Sequence, residues 1–600
     1  MSENQTTCAR STPAKVPKSA RELLMNFGTI VRFPFKSILI RGWRHSAAIA
    51  LLWSIAALPA AAAERISVRY GVLGRSLSVE SLARYAETGE ADAELEAYLN
   101  YLPEETRDRL PELLSTQLPV GALEASQFLY SPQGEFVLRQ LGQVLSTDAA
   151  GGNRDTAFKG LRGAIVQAAA SESGLTPIAL LEAFPTRTLY IRISEAIAAV
   201  EQVRDTLEAS QIELERFEAR AAAIAMPNAD GPPNWKALQV RGDYSWRIEP
   251  LALRDLDRDS PYGHQISGDL YVPTSPPPDR DAAPTVVISH GLGSNSRTFY
   301  YLAEHLASRG FAVLVPEHAG SNAKHLAALI RGAENEIAKP SEFDDRPRDI
   351  SLLLDEIERR AASEPARFGG VDPTQSIVFG HSFGGYTALA LVGAEIDIEA
   401  LDRECQRLGR GQQSLNLSLL LQCRLWVFLT EDGGRVQPWR DERVHGAVAV
   451  SPVGSAIFGE TGLAQVEAPV AIVAGSADTV APAYVEQIGI FDRLPVEDRQ
   501  LILWQGGTHF SPIAIPPGDT TSVALPASVI GPDPQLAHRD IEAIVTAFAH
   551  THLLDDPGAR TLLAPSALNA LGSEALPILA IDGTTPDVPT VSSPESAASR

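Results

Sequence analysis

The sequence predicts an α/β fold: a mostly parallel sheet with helices on both faces, preceded by a small all-helical domain. Three features carry this expectation. From Pro284 onward, apolar strand-like runs alternate with helical patterns, as parallel strands joined by crossover helices require. A Gly-x-Ser-x-Gly turn stands between one such strand and the helix that follows it. Residues 64–226 carry Ala/Leu/Glu-rich runs broken by glycine and proline, without that alternation.

The amino terminus reads as an address. Residues 1–45 hold eight Lys or Arg and two Glu. An apolar run from Ser46 to Leu58 follows, then Pro59 and a run of alanines before Glu64. This order is that of a secretory signal spanning 1–63, cleaved after Ala63 in an Ala61-x-Ala63 pattern. The apolar run falls short of the roughly 20 residues a spanning helix needs. An uncleaved anchor is the alternative, and Met25 is an alternative start. The mature protein is expected to be exported, periplasmic or extracellular, without a stable membrane span. The chain of 600 residues has a net charge of -23, which disfavours a nucleic-acid partner. Of three cysteines, Cys8 lies in the signal, which leaves Cys405 and Cys423 as a candidate disulfide. Two buried thiols are the alternative.

Within 64–226, Val79–Ala86, Ala91–Tyr101 and Asp155–Ala170 read as helices, and Ile193–Arg220 as one long helix. A Pro/Gly/Asn linker over 227–235 ends this domain, and a catalytic domain is expected over 236–555. Lys236–Val240, Ser245–Leu253 and Ser267–Val272 read as strands of an antiparallel opening. Asp255-x-Asp257-x-Asp259 superficially suggests a calcium loop, but Ser260 and Ile266 stand where its Gly and Glu belong, so a polar turn is the better reading. Thr285–Ser289, Phe311–Pro316, Ser376–Phe379, Ala447–Ser451, Val470–Ala474 and Gln500–Trp504 are strands of the parallel sheet. Thr298–Arg309, Ile350–Ala361, Gly384–Val392 and Asp540–His552 are its helices. Residues 580–600, rich in Pro, Ser, Thr and Ala, read as a disordered tail.

Gly380-His-Ser382-Phe-Gly384 has the form of a nucleophile elbow. A hydroxyl attacks only when a base takes its proton and the backbone exposes it, and a sharp strand-to-helix turn achieves the exposure. The acid and base should follow in that order, each after a later strand. Asp478 comes off the strand Val470–Ala474, and His509 comes off the strand ending at Trp504. A helix cap is the bland alternative for Asp478, and a turn-capping loop residue for His509. The oxyanion hole needs two backbone N–H groups. Phe383 supplies one, and the loop His290-Gly-Leu-Gly293 the other, from Leu292. His290 is expected to steady this loop, and His318 and His381 to line the site. Metal-ligand spacings, a P-loop and a G-x-G-x-x-G fingerprint are absent, so no cofactor and no metal are expected.

Ser289-His-Gly-Leu-Gly293, Pro316-Glu-His318 with Ser321, Arg346-Pro-x-x-Asp349-Ile350, Gly380-His-Ser-Phe-Gly-Gly385 and Gly475-Ser-Ala-Asp478 resemble the α/β-hydrolases of the platelet-activating-factor acetylhydrolase type. Bacterial proteins described as predicted dienelactone hydrolases look similar, although dienelactone hydrolase proper carries a cysteine where Ser382 stands. The resemblance covers roughly residues 240–550. It implies an α/β-hydrolase fold, a Ser382–Asp478–His509 triad with Leu292 and Phe383 as oxyanion donors, and release of short acyl groups from lipid esters without calcium. The segment 64–226 looks like the uncharacterised domain that precedes such hydrolases in cyanobacteria.

The expectation is therefore an exported serine esterase acting on a small-molecule or lipid ester, with polyester or thioester cleavage as alternatives. From a different class, the fold could be a binding scaffold, which an intact triad argues against. An insertion of about fifty residues, 395–445, separates the elbow helix from the next strand. Two readings stand for it: a helical pair packed as ordinary core, or a cap whose apolar face lines an acyl pocket.

Overall fold

The computed structural model describes residues 62–586, apart from 71–72, 119, 148–153, 225–233, 259–262, 277–279, 411, 413, 515–526 and 532. The expected signal and its cleavage site lie almost wholly outside these residues, as do most of the linker and the end of the tail.

Nine strands form the main sheet: β5 (Trp246–Asp255), β6 (His264–Pro273), β7 (Ala283–Ser289), β8 (Ala312–Glu317), β9 (Val371–His381), β10 (Val444–Val450), β11 (Val470–Gly475), β12 (Arg499–Trp504) and β13 (Ile578–Asp582). Their order is β13-β12-β11-β10-β9-β7-β8-β6-β5. From β12 to β8 all neighbours are parallel, while β6, β5 and β13 are antiparallel to theirs. The central strands are buried on both sides, which is why they read as near-continuous apolar runs. Alternate residues feed two cores. Val287, Val378 and Ile472 pack with Ile350, Leu353 and Leu389, whereas Val286, Ile288 and Phe379 pack with Leu302, Ile541 and Phe548.

The order places β7 between β8 and β9, so the chain leaves β7 toward one side and later returns on the other. At such a switch the connections after β7 and β9 part, opening a crevice at the carboxyl edge. Ser289 at the end of β7 pairs with Gly380 near the end of β9. The oxyanion loop and the elbow are thus neighbours by topology.

Three sequence expectations need correction. Residues 64–226 are not all-helical: β1 (Arg65–Tyr70), β2 (Leu73–Ser78), β3 (Leu145–Ser146) and β4 (Thr188–Arg192) form a second sheet, ordered β2-β1-β4-β3. Arg65-Ile-Ser-Val-Arg-Tyr70 does alternate with a period of two, but its partner β4 lies more than a hundred residues away, inside helix-rich sequence. Around this sheet stand α1 (Val79–Thr88), α2 (Ala122–Leu129), α3 (Pro132–Val144), α4 (Arg154–Ala169) and α5 (Ile193–Ala222). Second, the tail assigned from 580 onward begins inside β13, whose Ile578, Ala580 and Ile581 are buried against β12. Third, Lys236–Gln239 is a helical turn, not a strand.

The first region does not stand apart. Phe217 and Ala221 of α5 belong to the same apolar cluster as the main sheet, and Arg220 pairs with Asp492. Gln140 of α3 donates to the Leu408 carbonyl at 2.9 Å.

Candidate active site

Ser382 sits between β9 and α9 (Phe383–Leu391), helices α6 (Tyr300–Ser308), α7 (Ala323–Ile330) and α8 (Glu342–Ser363) coming earlier in the chain. Its φ of 55° and ψ of -114° are rare for a residue with a side chain. Such strain persists only where the surroundings over-determine it. Here the Ser382 N–H donates to Val450 O at 2.9 Å, and its carbonyl accepts from Gly385, Tyr386 and Val453. The tight turn depends on glycine: a Cβ on Gly384 would lie 2.0 Å from the Ser289 carbonyl oxygen.

The structure brings Ser382, His509 and Asp478 together. Ser382 Oγ lies 3.0 Å from His509 Nε2, and His509 Nδ1 lies 2.7 Å from Asp478 Oδ2. All three are buried, with exposures of 8%, 4% and 5% respectively. The other oxygen of Asp478 accepts the N–H groups of Val480 and Ala481 at 2.9 and 2.8 Å. That oxygen braces the turn after Asp478 and does not cap a helix, because the next helix begins at Ala483 with Pro482 as its N-cap residue and no side-chain cap. Burial opposes ionisation of Asp478, but the charge and hydrogen bond of His509, with these two amides, outweigh it and hold the carboxyl below its usual range. His381 Nε2 donates to the His509 carbonyl at 2.9 Å, which fixes the loop that carries the base.

The loop after β7 faces the elbow, and a Cβ on Gly291 would lie 3.4 Å from that of Ser382. The His318 N–H donates to His290 Nε2 at 3.2 Å, so the His290 proton resides on Nδ1. That Nδ1–H donates to Gly291 O at 2.8 Å, the carbonyl of the peptide whose N–H belongs to Leu292. The Gly293 N–H donates to Ser321 O at 2.8 Å. Phe383 opens α9, where first-turn N–H groups have no partner within the helix. Burial pushes His290 down to about 4 and His381 to about 3, and holds His318 well below the usual imidazole range. Three of the four histidines at the site are thus kept neutral.

Sequence reasoning left two sets of buried charge at this edge without a role. Arg346, fully buried on α8, donates to the His290 carbonyl at 2.7 Å and stands 4.1 Å over the Phe383 ring. Glu342, four residues earlier on the same helix, is its ion-pair partner. An i,i+4 Glu–Arg pair on the buried face of this helix, beside Phe343 and Ile350, was the available signal. Glu486 is the other. It accepts from Ser418 and Gln422 of the insertion at 2.9 and 2.7 Å, and from the Gly454 and Ser455 N–H groups at 2.9 Å each.

The insertion holds α10 (Ile398–Gly409) and α11 (Leu419–Thr430), joined by the Cys405–Cys423 disulfide. Leu419, Leu421 and Leu425 are buried in the main apolar cluster, as ordinary core. A cavity of about 570 Å³ nevertheless opens between the insertion and α12 (Ser455–Leu463), with Arg403, Arg407, Leu408, Leu419 and Tyr484 among its walls. Ser382 does not line it. Ser455 and Ala456 do, just after Val453, whose N–H meets the Ser382 carbonyl. Of the acidic turn expected over 255–259, Asp259 lies outside the described residues, and Asp255, the last residue of β5, is paired to Arg258 and Arg348. No group of His, Cys, Asp and Glu able to hold a metal ion occurs among the described residues.

A strand–elbow–helix at a switch point, with later strands delivering the acid and base, settles the architecture. The fold is that of an α/β-hydrolase. Residues 280–401 match the family model described as serine aminopeptidase, S33, and residues 62–192 match alpha/beta hydrolase of unknown function (DUF1400). The second match covers the region around the smaller sheet, and Asp478 and His509 lie beyond both matches. No curated protein matches the chain. Both matches support hydrolase chemistry for a chain of this fold.

Proposed function

We propose that this protein is an exported serine hydrolase that cleaves carboxylic esters, with lipid-like or short-acyl esters as substrates. The reading rests on the hydrogen-bonded chain Ser382–His509–Asp478 at a strained elbow. Ser382 Oγ attacks the acyl carbon while His509 Nε2 takes its proton and then delivers it to the leaving alcohol. Asp478 holds the imidazole with its proton on Nδ1 and stabilises the imidazolium. The Leu292 and Phe383 N–H groups receive the oxyanion. Water then attacks the acyl-enzyme by the same route and frees the acid. Export is supported by the order of basic, apolar and small residues at the amino terminus and by the Cys405–Cys423 disulfide, which suits an oxidising compartment. No helix among the described residues is long and apolar enough to cross a membrane.

The test is hydrolysis of p-nitrophenyl butyrate by the purified protein, with fluorophosphonate labelling that is lost in Ser382→Ala. An unlabelled wild-type protein overturns the reading. The match of residues 280–401 to serine aminopeptidases favours a second reading, cleavage of an amide next to a free amino terminus. Aminoacyl p-nitroanilides assayed beside the esters separate the two, because the higher kcat/KM identifies the bond.

A further inference from the structure

Two backbone N–H groups make an oxyanion hole only if the loop and the helix that carry them stay in register. They come here from separate segments, the loop after β7 and the first turn of α9. One side chain touches both.

Arg346 is 0% exposed, and each of its polar atoms has a partner on this loop or behind it. Nη1 donates to the His290 carbonyl at 2.7 Å. Nη2 and Nε donate to Ser321 Oγ at 2.7 and 3.1 Å, and Nε also faces Glu342 Oε2 at 3.3 Å. Glu342 closes the set by accepting from Ser321 Oγ and, at 3.1 Å, from the Gly320 N–H. The main chain of Ser321 accepts the Gly293 N–H. The segment from His290 to Gly293 is therefore gripped at both ends, directly at the first residue and through Ser321 at the last. On its other side the guanidinium plane covers the Phe383 ring.

We infer that Arg346 is a positioning residue for the oxyanion hole, holding the Leu292 and Phe383 donors in register from behind while touching neither substrate nor reacting atoms. The inference rests on the serine-hydrolase reading above. A cation at this depth is costly unless fully paired, and an apolar residue would fill the space at less cost. A planar donor with five N–H groups can bond two oxygens in one plane and still present its face to an aromatic ring, which lysine cannot do. The geometry uses each of those properties.

The experiment compares wild type with Arg346→Lys, Arg346→Met and Ser321→Ala on p-nitrophenyl butyrate, and measures inhibition by a trifluoromethyl ketone. The hemiketal this ketone forms with Ser382 places its oxyanion in the hole. Loss of a whole oxyanion donor costs about 100- to 1,000-fold in kcat, so loosening both is expected to cost at least ~10-fold. KM should stay within about twofold, and ketone affinity should fall in step with kcat, since only transition-state binding is lost. Arg346→Lys should recover little. A role in folding alone would lower the melting temperature and leave kcat and ketone affinity of the folded fraction intact, and that result overturns the inference. If removing one charge unfolds the protein, Glu342→Gln/Arg346→Met removes both, and Ser321→Ala tests the same link with the charges in place. Ser382→Ala separates the two levels. If it still hydrolyses the ester, the serine reading falls. If it is inactive while folded Arg346 and Ser321 variants keep kcat, only the role of Arg346 falls.

Discussion

His509 Nδ1 and Asp478 Oδ2 lie 2.7 Å apart, while Asp478 Oδ1 is occupied by the Val480 and Ala481 amides. The carboxylate therefore cannot rotate away from the imidazole without giving up two hydrogen bonds. Asp478→Asn tests this coupling. Its carbonyl oxygen would keep the two amides, so its NH2 group would face Nδ1 and turn the imidazole to the wrong tautomer. We expect kcat to fall by about four orders of magnitude with little change in melting temperature. Steady-state kinetics beside a thermal melt checks both halves.

The pH profile follows from the neighbours of His509. His290 and His381 are pushed by burial to about 4 and about 3, and His318 well below its usual value, so none gains a proton in the range where enzymes are ordinarily assayed. Asp478 is held below the usual carboxylate range and stays ionised. These neighbours therefore add no ionisation of their own to the acid limb. That limb of log kcat/KM against pH should have a slope of one. A slope near two would show one of the buried imidazoles gaining a proton in the same range.

What could be read in advance follows the same physics. The strands β7 to β12 were legible because burial on both faces writes an apolar run that few other elements produce. The elbow, Asp478 and His509 were legible because chain order and strand ends constrain where such groups stand. The smaller sheet was not, since β1 and β4 are five or six residues each and pair across more than a hundred residues of helix-rich chain. Nor was β13, five residues set in a Pro- and Ser-rich context. Arg346 was visible within a motif, but its partners His290, Ser321 and Phe383 come from three separate segments, and no local pattern records them.

Stability should depend on pH through α13 (Pro534–Leu553), the helix behind the sheet. Burial raises Asp540 to about 7, against the opposing hydrogen bond from Trp504 Nε1 at 3.1 Å and the charge of Arg539. A carboxyl whose folded pKa is raised contributes stability below its unfolded value, near 4, and that contribution is lost as the pH climbs through about 7. Asp540→Asn keeps an acceptor for Trp504 and removes the charge. Melting temperature should change little at pH 4 and rise at pH 8, with a free-energy gain of at most about 4 kcal/mol. Glu542 is also raised to about 7 by burial, so part of the pH dependence should survive in the variant. Thermal melts across pH 4–9 read this directly, and equal curves for the two proteins would refute it.

The insertion is held by three links of different chemistry, one within itself and two to the body. The Cys405–Cys423 bridge joins α10 to α11, Glu486 gathers Ser418 and Gln422, and Arg424 pairs with Glu336 through two hydrogen bonds of 2.7 and 3.0 Å. Closing a loop of this length is worth about 3 kcal/mol in the chain-entropy model, so reduction should lower the melting temperature while Ser382 still reacts with a fluorophosphonate. The apolar side of α11 is committed to the core, and Leu419 alone of its buried leucines also reaches the cavity beside α12. If that cavity receives the acyl chain, Leu419→Ala should extend the preference toward longer chains by enlarging one wall. Leu425→Ala, buried away from the cavity, should cost about 2–5 kcal/mol of stability and leave the preference alone. Ratios of kcat/KM across p-nitrophenyl esters from C2 to C12 make the comparison. Unchanged ratios in a folded Leu419→Ala protein would assign the insertion to packing alone and move the acyl pocket elsewhere.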